Sequence, residues 1–141
     1  MRKTILITSL LASALLLAAC GAGSSEQASL DGSAWILAAI NGNDVVIDGG
    51  QELTLSFEDG RLSGYSGCNQ FGGEYSANRQ TGTLEISPLE TTLMACLDDD
   101  VMAREGEYQS ALQAAESYRL DGDVLTIETA DGVLRFSRSA Q

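Results

Sequence analysis

The sequence predicts an α+β domain: a mostly antiparallel, strongly curved, barrel-like sheet of about seven to eight short strands, with one helix packed on it. Three observations lead to this fold class. Runs of alternating apolar and polar residues recur along the chain. Asp-Gly pairs, the strongest short-range hairpin signal, separate several of these runs. One longer segment near residues 99–117 has the apolar spacing of a helix.

The strands before the helix are predicted from β-branched or alternating residues bounded by turn-forming residues. They cover residues 34–40, 45–47, 52–57, 61–67, 74–77 and 83–86. Asp59-Gly60 forms a predicted hairpin turn, and residues 68–73 are rich in types that tolerate positive φ, which predicts a loop. Pro88 closes this half of the domain.

The helix is predicted to begin near Asp99, because the adjacent carboxylates of residues 98–100 can cap it and complement its dipole. Its apolar residues fall near one face, which predicts packing against the sheet rather than a partner site; they are Val101, Met102, Tyr108, Leu112 and Ala115. Three strands follow at 118–120, 124–128 and 133–137, with turns at Asp121-Gly122 and Asp131-Gly132.

The first twenty residues have the order of a lipoprotein signal. Arg2 and Lys3 precede an apolar run from Ile5 to Ala19 that is too short to span a bilayer. It ends in Leu17-Ala18-Ala19-Cys20, which resembles the lipobox, whose cysteine is acylated and becomes the first residue of the mature protein. The alternative is an ordinary secretory signal that happens to contain a cysteine.

Three segments follow from this interpretation: a signal peptide at 1–19, a lipidated flexible tether at 20–29 and a folded domain at 30–141. We expect the mature protein to be anchored to a membrane through palmitate or a similar acyl chain on Cys20. Gly21 stands where aspartate resembles the inner-membrane retention signal, so we expect the periplasmic face of the outer membrane.

The net charge of −12 becomes more negative once the signal peptide, with two basic residues and no acidic one, is removed. Such a chain should be repelled by nucleic acid and by anionic lipid headgroups. We expect the negative charge to serve mainly to keep the protein soluble in the periplasm. Binding of a basic partner or of a cation is the alternative.

The composition offers little for catalysis or metal binding, and we expect no enzyme, no metal and no cofactor. Histidine is absent, which excludes Ser-His and Cys-His nucleophiles. Two cysteines without histidine fall short of a zinc site. Asp98-Asp99-Asp100 lacks the downstream spacing of a calcium loop, although calcium stays an alternative. Paired carboxylates could still serve a hydrolase, but no motif places them.

Two segments resemble the META/HslJ family. Residues 64–75, GYSGCNQFGGEY, are similar to its G-x-x-G-C-N-x-F-x-G-x-Y segment, and residues 92–96, TLMAC, to its T-x-M-A-C segment. The matching positions are Gly67, Cys68, Asn69, Phe71, Gly73, Tyr75, Thr92, Met94, Ala95 and Cys96. Weaker similarities, including Glu105, Tyr108 and Leu112 of the helix, extend the resemblance over residues 30–136. Leu97-Asp98 departs from the family, in which proline is frequent after the second cysteine.

The resemblance implies a small envelope lipoprotein or secreted domain, without catalytic activity, connected with heat shock, antibiotic tolerance or, in some parasites, virulence. The family fold is similar to that of secretin-pilot lipoproteins, which suggests binding. We therefore expect a binding module for an envelope protein, peptide or lipid, in envelope maintenance or stress tolerance. A purely structural or stress-protective lipoprotein is the alternative, and a carboxylate-dependent hydrolase a remote one.

With Cys20 lipidated, Cys68 and Cys96 remain. An even number of cysteines in an oxidising compartment favours a disulfide between them, and both lie in the segments that carry the resemblance. Free buried thiols are the alternative, because cysteine is also a common small core residue.

Overall fold

A computed structural model describes residues 26–46 and 50–140 of the chain. These residues form ten antiparallel strands and one helix, α1, at Asp99–Gln113. The strands are β1 Ser33–Ile40, β2 Asn43–Asp44, β3 Thr54–Glu58, β4 Arg61–Tyr65, β5 Gln70–Ala77, β6 Leu84–Ile86, β7 Glu90–Thr91, β8 Ala115–Asp121, β9 Val124–Thr129 and β10 Gly132–Arg138.

Eight of the strands follow one another across the sheet in the order β6-β5-β4-β3-β1-β10-β9-β8. The two-residue strands β2 and β7 pair with β1 and β5 away from this path. The first and last strands of the path meet at one end, where Thr83 pairs with Ser117 and the Tyr118 amide donates to the Gly82 carbonyl at 2.7 Å. The sheet is therefore a nearly closed barrel, which confirms the predicted fold class.

The core fills the inside of the barrel because the inward side chains alternate along each strand. Trp35, Leu55, Ile127 and Leu134 are fully buried, and Phe57 and Phe136 are almost so. Between Leu37 and Ala39 the β1–β10 pairing shifts register, so Ala39 and Ile40 are both buried. Such a bulge increases the local bend of a strand and helps a sheet to curve.

The hairpin turns lie close to their predicted places. Asp59 and Gly60 both have positive φ, 51° and 75°, between the paired residues Glu58 and Arg61. The two later turns are displaced by one residue: Asp121 pairs with Val124 and Thr129 with Gly132. The turn residues are thus Gly122-Asp123 and Ala130-Asp131, because backbone pairing extends one residue further than the apolar pattern.

Helix α1 closes the barrel by inserting two side chains into the core. Tyr108 and Leu112 are fully buried, and the Tyr108 ring contacts Phe71 and Phe136 with centroid distances of 5.7 and 6.2 Å. Its hydroxyl donates to the Thr54 carbonyl at 3.1 Å. Asp98 caps the helix, accepting from the amides of Asp100 and Val101.

The helix is shorter than predicted. It ends at Gln113, and Ala115 to Ser117 belong to β8, so Ala115 does not share the helix face. Met102, also predicted for that face, is 51% exposed. The strand wins over helical spacing because Ala115 to Asp121 pair with β9. No helix in the described part of the chain has the length and apolar character needed to cross a membrane.

The loop predicted at residues 68–73 is wrong from Gln70 onward. Gln70 to Gly73 belong to β5 and pair with β4. Gly73 allows a close approach: a Cβ there would lie 3.2 Å from the Leu89 side chain. Conversely, the strand predicted at 61–67 ends at Tyr65, since Gly67 has a φ of +115°.

The segment predicted at 45–47 also differs. The strand after the first turn is Asn43–Asp44, which pairs with Ile40 and Ala39, while Val45 and Val46 lie outside the strands. Ile47, the last residue of the predicted strand, lies outside the described residues.

Residues 26–29, assigned to the tether by composition, contact the domain. The Gln27 amide donates to the Arg79 carbonyl at 2.7 Å, and the Leu120 amide donates to Gln27 Oε1 at 3.2 Å. The Tyr118 hydroxyl donates to the Ala28 carbonyl at 3.2 Å. Gln27 therefore bridges the turn after β5 and strand β8, across the line where the barrel closes.

Candidate functional site

A four-residue turn between β4 and β5 contains the first half of the cysteine motif. The Ser66 amide donates to the Asn69 carbonyl at 2.9 Å, which closes the turn. Gly67 has a φ of +115°, a backbone conformation that residues other than glycine rarely adopt. The Tyr65 hydroxyl donates to the Gly67 carbonyl at 2.6 Å. The turn is therefore held in one conformation by its backbone hydrogen bond and by the Tyr65 hydroxyl.

Glu105, on α1, accepts hydrogen bonds from three residues of this turn. Its Oε2 accepts from the Ser66 hydroxyl and the Asn69 amide, both at 2.8 Å, and from the Cys68 amide at 3.3 Å. Its Oε1 accepts from Asn69 Nδ2 at 2.7 Å. Because hydrogen bonds to an ionised acceptor are stronger than neutral ones, this carboxylate fastens the helix to the turn.

The protonation of Glu105 follows from these contacts. Partial burial by itself raises the pKa of a carboxyl group, but the hydrogen bonds from Asn69, Ser66 and Cys68 outweigh it, and the pKa of Glu105 lies below its ordinary value. Glu105 is therefore ionised at neutral pH, and its lone pairs are occupied by the turn.

Asn69 connects the two cysteine motifs. Its side chain is 6% exposed, and its Oδ1 accepts from the Thr92 hydroxyl at 2.9 Å and from the Met94 amide at 2.7 Å. Its Nδ2 donates to Glu105. One amide group thus joins the β4–β5 turn, the helix and the TLMAC segment, and no aliphatic residue could make these bonds.

Cys68 and Cys96 are joined by a disulfide, with their Cα atoms 6.1 Å apart. The bond lies beside the Asn69 contacts and fixes the end of the TLMAC segment, two residues before the helix cap at Asp98. Asn69 and the disulfide together hold residues 92–96 at two points.

The remaining family positions support the barrel. Phe71 is 4% exposed and packs edge-on against Tyr108. Tyr75 packs edge-on against Phe57 with centroids 4.8 Å apart. Burial, followed by the nearby Asp31 carboxylate, raises the pKa of Tyr75 to about 12. Tyr75 is therefore neutral at physiological pH and has no acid–base use there.

Met94 and Ala95, both family positions, leave their side chains in solvent. Met94 is 64% exposed, and Ala95 is also exposed. Leu93 and Leu97, on either side of them, are 97% and 102% exposed. The backbone of this segment is fixed by Asn69 and Cys68, whereas its apolar side chains make little contact with the domain.

The polar groups of the site satisfy one another and leave little for a ligand. Within the described residues, no buried side-chain nitrogen or oxygen lacks a hydrogen-bond partner. No cluster of three or more potential metal-ligating Asp, Glu or Cys side chains occurs in residues 26–46 and 50–140. A recess next to Gly67, lined also by Leu53, Val101 and Arg104, has a volume of about 50 Å³. The recess is therefore smaller than pockets for small molecules, which measure roughly 300–1,000 Å³.

The structure brings together Gly67, Cys68, Asn69, Thr92, Met94, Ala95 and Cys96 at one end of the barrel and leaves Phe71, Gly73 and Tyr75 along β5. The sequence predicts no site role for Ser66 or Glu105, nor for Gln109, whose Nε2 donates to Ser66 Oγ at 2.9 Å. Glu105 precedes Tyr108 by three residues and Leu112 by seven, a spacing that could have placed it on the buried face. Cys20 lies outside the described residues.

Comparisons with known proteins identify a family and similar folds. The family model described as META domain matches residues 28–141. No curated protein matches the chain significantly. An NMR structure of a protein from Burkholderia xenovorans is 26% identical, with a TM-score of 0.66, over 79% of this chain and 85% of that one. A second NMR structure is also 26% identical, with a TM-score of 0.63, over 77% and 90%.

A crystal structure of a DUF4847 family protein from Bacteroides vulgatus is 21% identical, with a TM-score of 0.47, over 63% of this chain and 60% of that one.

Proposed function

The chain belongs to the META-domain family, and on that premise we propose that it is a membrane-anchored envelope lipoprotein that acts by binding rather than by catalysis. The observation that carries this proposal is the division of the cysteine motifs. The polar groups of the motifs form hydrogen bonds within the domain. The apolar side chains of the TLMAC segment, in contrast, are exposed to solvent. A rigid support that presents apolar side chains is typical of a binding surface.

Glu105 is not suited to be the general acid of a hydrolase. A general acid needs a pKa raised towards the working pH. Glu105, the carboxylate most engaged with its surroundings, has a lowered pKa, and four hydrogen bonds hold it. We expect the purified protein to turn over none of a panel of ester, peptide and glycoside substrates. Activity that disappears on mutation of one carboxylate would contradict the proposal.

The anchor is supported by the sequence alone. The Leu17-Ala18-Ala19-Cys20 segment, the charged start and the short apolar run fit a lipoprotein signal, and an acyl anchor needs no spanning helix. We propose that the lipid on Cys20 holds the protein at the periplasmic face of the outer membrane, in a role in envelope maintenance or in stress and antibiotic tolerance.

The test of the anchor uses the full-length chain expressed in a Gram-negative host. The unchanged chain should incorporate radioactive palmitate and fractionate with the outer membrane, and Cys20→Ser should do neither. Gly21→Asp is the matched control: it should keep the label but move the protein to the inner membrane. Labelling and retention of the Cys20→Ser variant would contradict the proposal.

A purely structural or stress-protective lipoprotein is the second candidate. It is favoured by the complete internal pairing of the buried polar groups among the described residues. The two candidates differ at the exposed apolar side chains: a structural protein should tolerate their replacement by polar residues without any loss of function, and a binding module should not.

A further inference from the structure

The most exposed apolar side chains of the protein are concentrated in one short segment. Of the five large hydrophobic side chains that the described residues leave exposed, four lie between 93 and 102. Three of them, Leu93, Met94 and Leu97, belong to residues 93–97, which we call the apolar loop; the fourth is Met102 on the first turns of α1. Large apolar side chains clustered in solvent are typical of an interaction surface.

The apolar loop is held in place rather than free to fold back onto the domain. The Met94 amide donates to the buried Asn69, Cys96 is bonded to Cys68, and Asp98 caps α1 directly after the loop. These three fixed points lie within five residues. A surface that is ordered before binding loses less conformational entropy on association, which favours a tight complex.

An acidic run borders the apolar loop. Asp98, Asp99 and Asp100 are all exposed, and none forms an ion pair within the described part of the chain. Arg104, one turn further along the helix, donates to the Val46 carbonyl at 3.4 Å. The surface therefore combines apolar side chains with a cluster of negative charge, and the complementary surface is apolar with a basic border.

The position of the apolar loop argues against the anchoring membrane as its occupant. Thr92, just before the loop, contacts Gln70 at the start of β5, whereas Gln27 contacts Arg79 beyond the end of β5. The eight residues of β5 span about 23 Å. The N-terminal segment that leads to Cys20 thus joins the domain at the opposite end of the barrel, and the acidic run would be repelled by anionic headgroups.

A second copy of the chain is disfavoured for a similar reason. A symmetric dimer through the apolar loop would place two acidic runs beside each other, and like charges across an interface are unfavourable.

We propose that the apolar loop, with Met102, is the docking surface for a partner protein through a segment whose apolar face is bordered by lysine or arginine. Leu93, Met94 and Leu97 enter the apolar face, and Asp98 to Asp100 pair with the basic border. This inference rests on the proposed function, because it names the surface and the partner class of the binding module.

The test uses the full-length chain in the bacterial envelope, with a photoreactive benzophenone amino acid in place of Leu93. After irradiation we expect one discrete adduct, whose attached peptide, identified by mass spectrometry, combines apolar residues with Lys or Arg. The same amino acid at Gln80, an exposed turn residue at the other end of the barrel, is the matched control and should give no such adduct.

Two changes then test the chemistry of the contact. Leu97→Ser should lower the yield of the adduct about tenfold, because a leucine that becomes buried in the complex contributes about that much to affinity. Replacement of Asp98, Asp99 and Asp100 by asparagine removes the negative charge but keeps a good helix cap. It should lower the yield of the adduct about three- to tenfold. Circular dichroism of the purified variants checks that each is folded.

Several outcomes would overturn the proposal: no adduct at position 93, an adduct to phospholipid, an adduct between two copies of the chain, or an attached peptide without basic residues. An adduct unchanged by either replacement would do so as well. Palmitate labelling and membrane fractionation, scored in the same cells, report on the proposed anchor separately, so its failure is distinguishable from failure of the docking surface.

Discussion

At the scale of single residues, Glu105 and Asn69 do most to fix the site. Each accepts or donates in several directions at once, and each joins segments that are distant in sequence. Removal of one partner would leave buried donors without an acceptor, which costs more than the hydrogen bond itself contributes. Glu105 is therefore more sensitive to mutation than its partial exposure suggests, and Asn69 is as sensitive as its burial implies.

Glu105→Gln should lower the free energy of unfolding by about 1–3 kcal/mol at pH 7, because the ionised acceptor is replaced by a neutral amide with one donor group. Glu107→Gln is the matched control, since Glu107 is exposed on the same helix, and it should change stability little. Urea unfolding of the three proteins measures both effects. Equal losses for the two variants would show that Glu105 makes no special contribution.

The effect of Glu105 should also depend on pH. Its pKa is lower in the folded protein than its ordinary value of 4.5, so the carboxylate stabilises the fold above that value. This stabilisation is lost as the pH falls through the folded pKa. The difference in unfolding free energy between the unchanged protein and Glu105→Gln should therefore be largest at neutral pH and shrink below pH 4.5. A constant difference from pH 7 to pH 3 would contradict the assignment.

At the scale of elements, two glycines predict effects of opposite sign. Gly60 has a φ of +75° in the β3–β4 turn, whereas Gly106 lies within α1 with nothing within 4 Å of an added Cβ. Gly60→Ala should cost about 1–2 kcal/mol, and Gly106→Ala should add about 0.5–1 kcal/mol. Thermal unfolding of the two variants decides, and stabilisation by both would show that the turn is not strained by a side chain.

The disulfide ties two elements, the β4–β5 turn and the segment before α1. It closes a loop of 29 residues, for which the chain-entropy model gives about 3–4 kcal/mol. Cys68→Ser with Cys96→Ser should lower stability by that order. A thiol count on denatured, unreduced Cys20→Ser protein should find no reactive thiol before reduction and two after it. Two thiols before reduction would mean that the bridge does not form in solution.

At the scale of the whole molecule, the barrel is closed by few contacts. Thr83, directly before β6, pairs with Ser117 of β8, and the Tyr118 amide donates to the Gly82 carbonyl. Gln27 crosses the same line. The N-terminal segment therefore adds to the closure of the barrel as well as leading towards Cys20.

Deletion of residues 26–29 should lower the free energy of unfolding by about 1–3 kcal/mol, because the hydrogen bonds to Arg79, Tyr118 and Leu120 are lost. It should also speed hydrogen exchange at the Leu120 amide more than at Ile127 in the middle of the sheet. The two proteins compared begin at Glu26 and at Leu30, so that they differ only in residues 26–29. Unchanged exchange at Leu120 would show that the segment does not seal the barrel.

The sequence by itself determined the fold class, because alternation of apolar residues and Asp-Gly turns are local signals that the sheet keeps. It also located the strands around Asp59-Gly60 and the helix start at Asp98-Asp99, and it grouped the positions of the cysteine motifs. The same local signals misplaced the helix end and the start of β5, where strand pairing at Ala115 and Gln70 overrides propensity.

Only the tertiary structure decided what the motif residues do. Asn69 and Glu105 are 36 positions apart in the sequence, and no local signal shows that their side chains meet, because that contact depends on how α1 closes the barrel. The sequence also does not predict that Leu93 and Leu97 are exposed, since an apolar residue is expected in the core. Local periodicity fixes which elements form, whereas long-range packing fixes which side chains are paired and which are left to meet a partner.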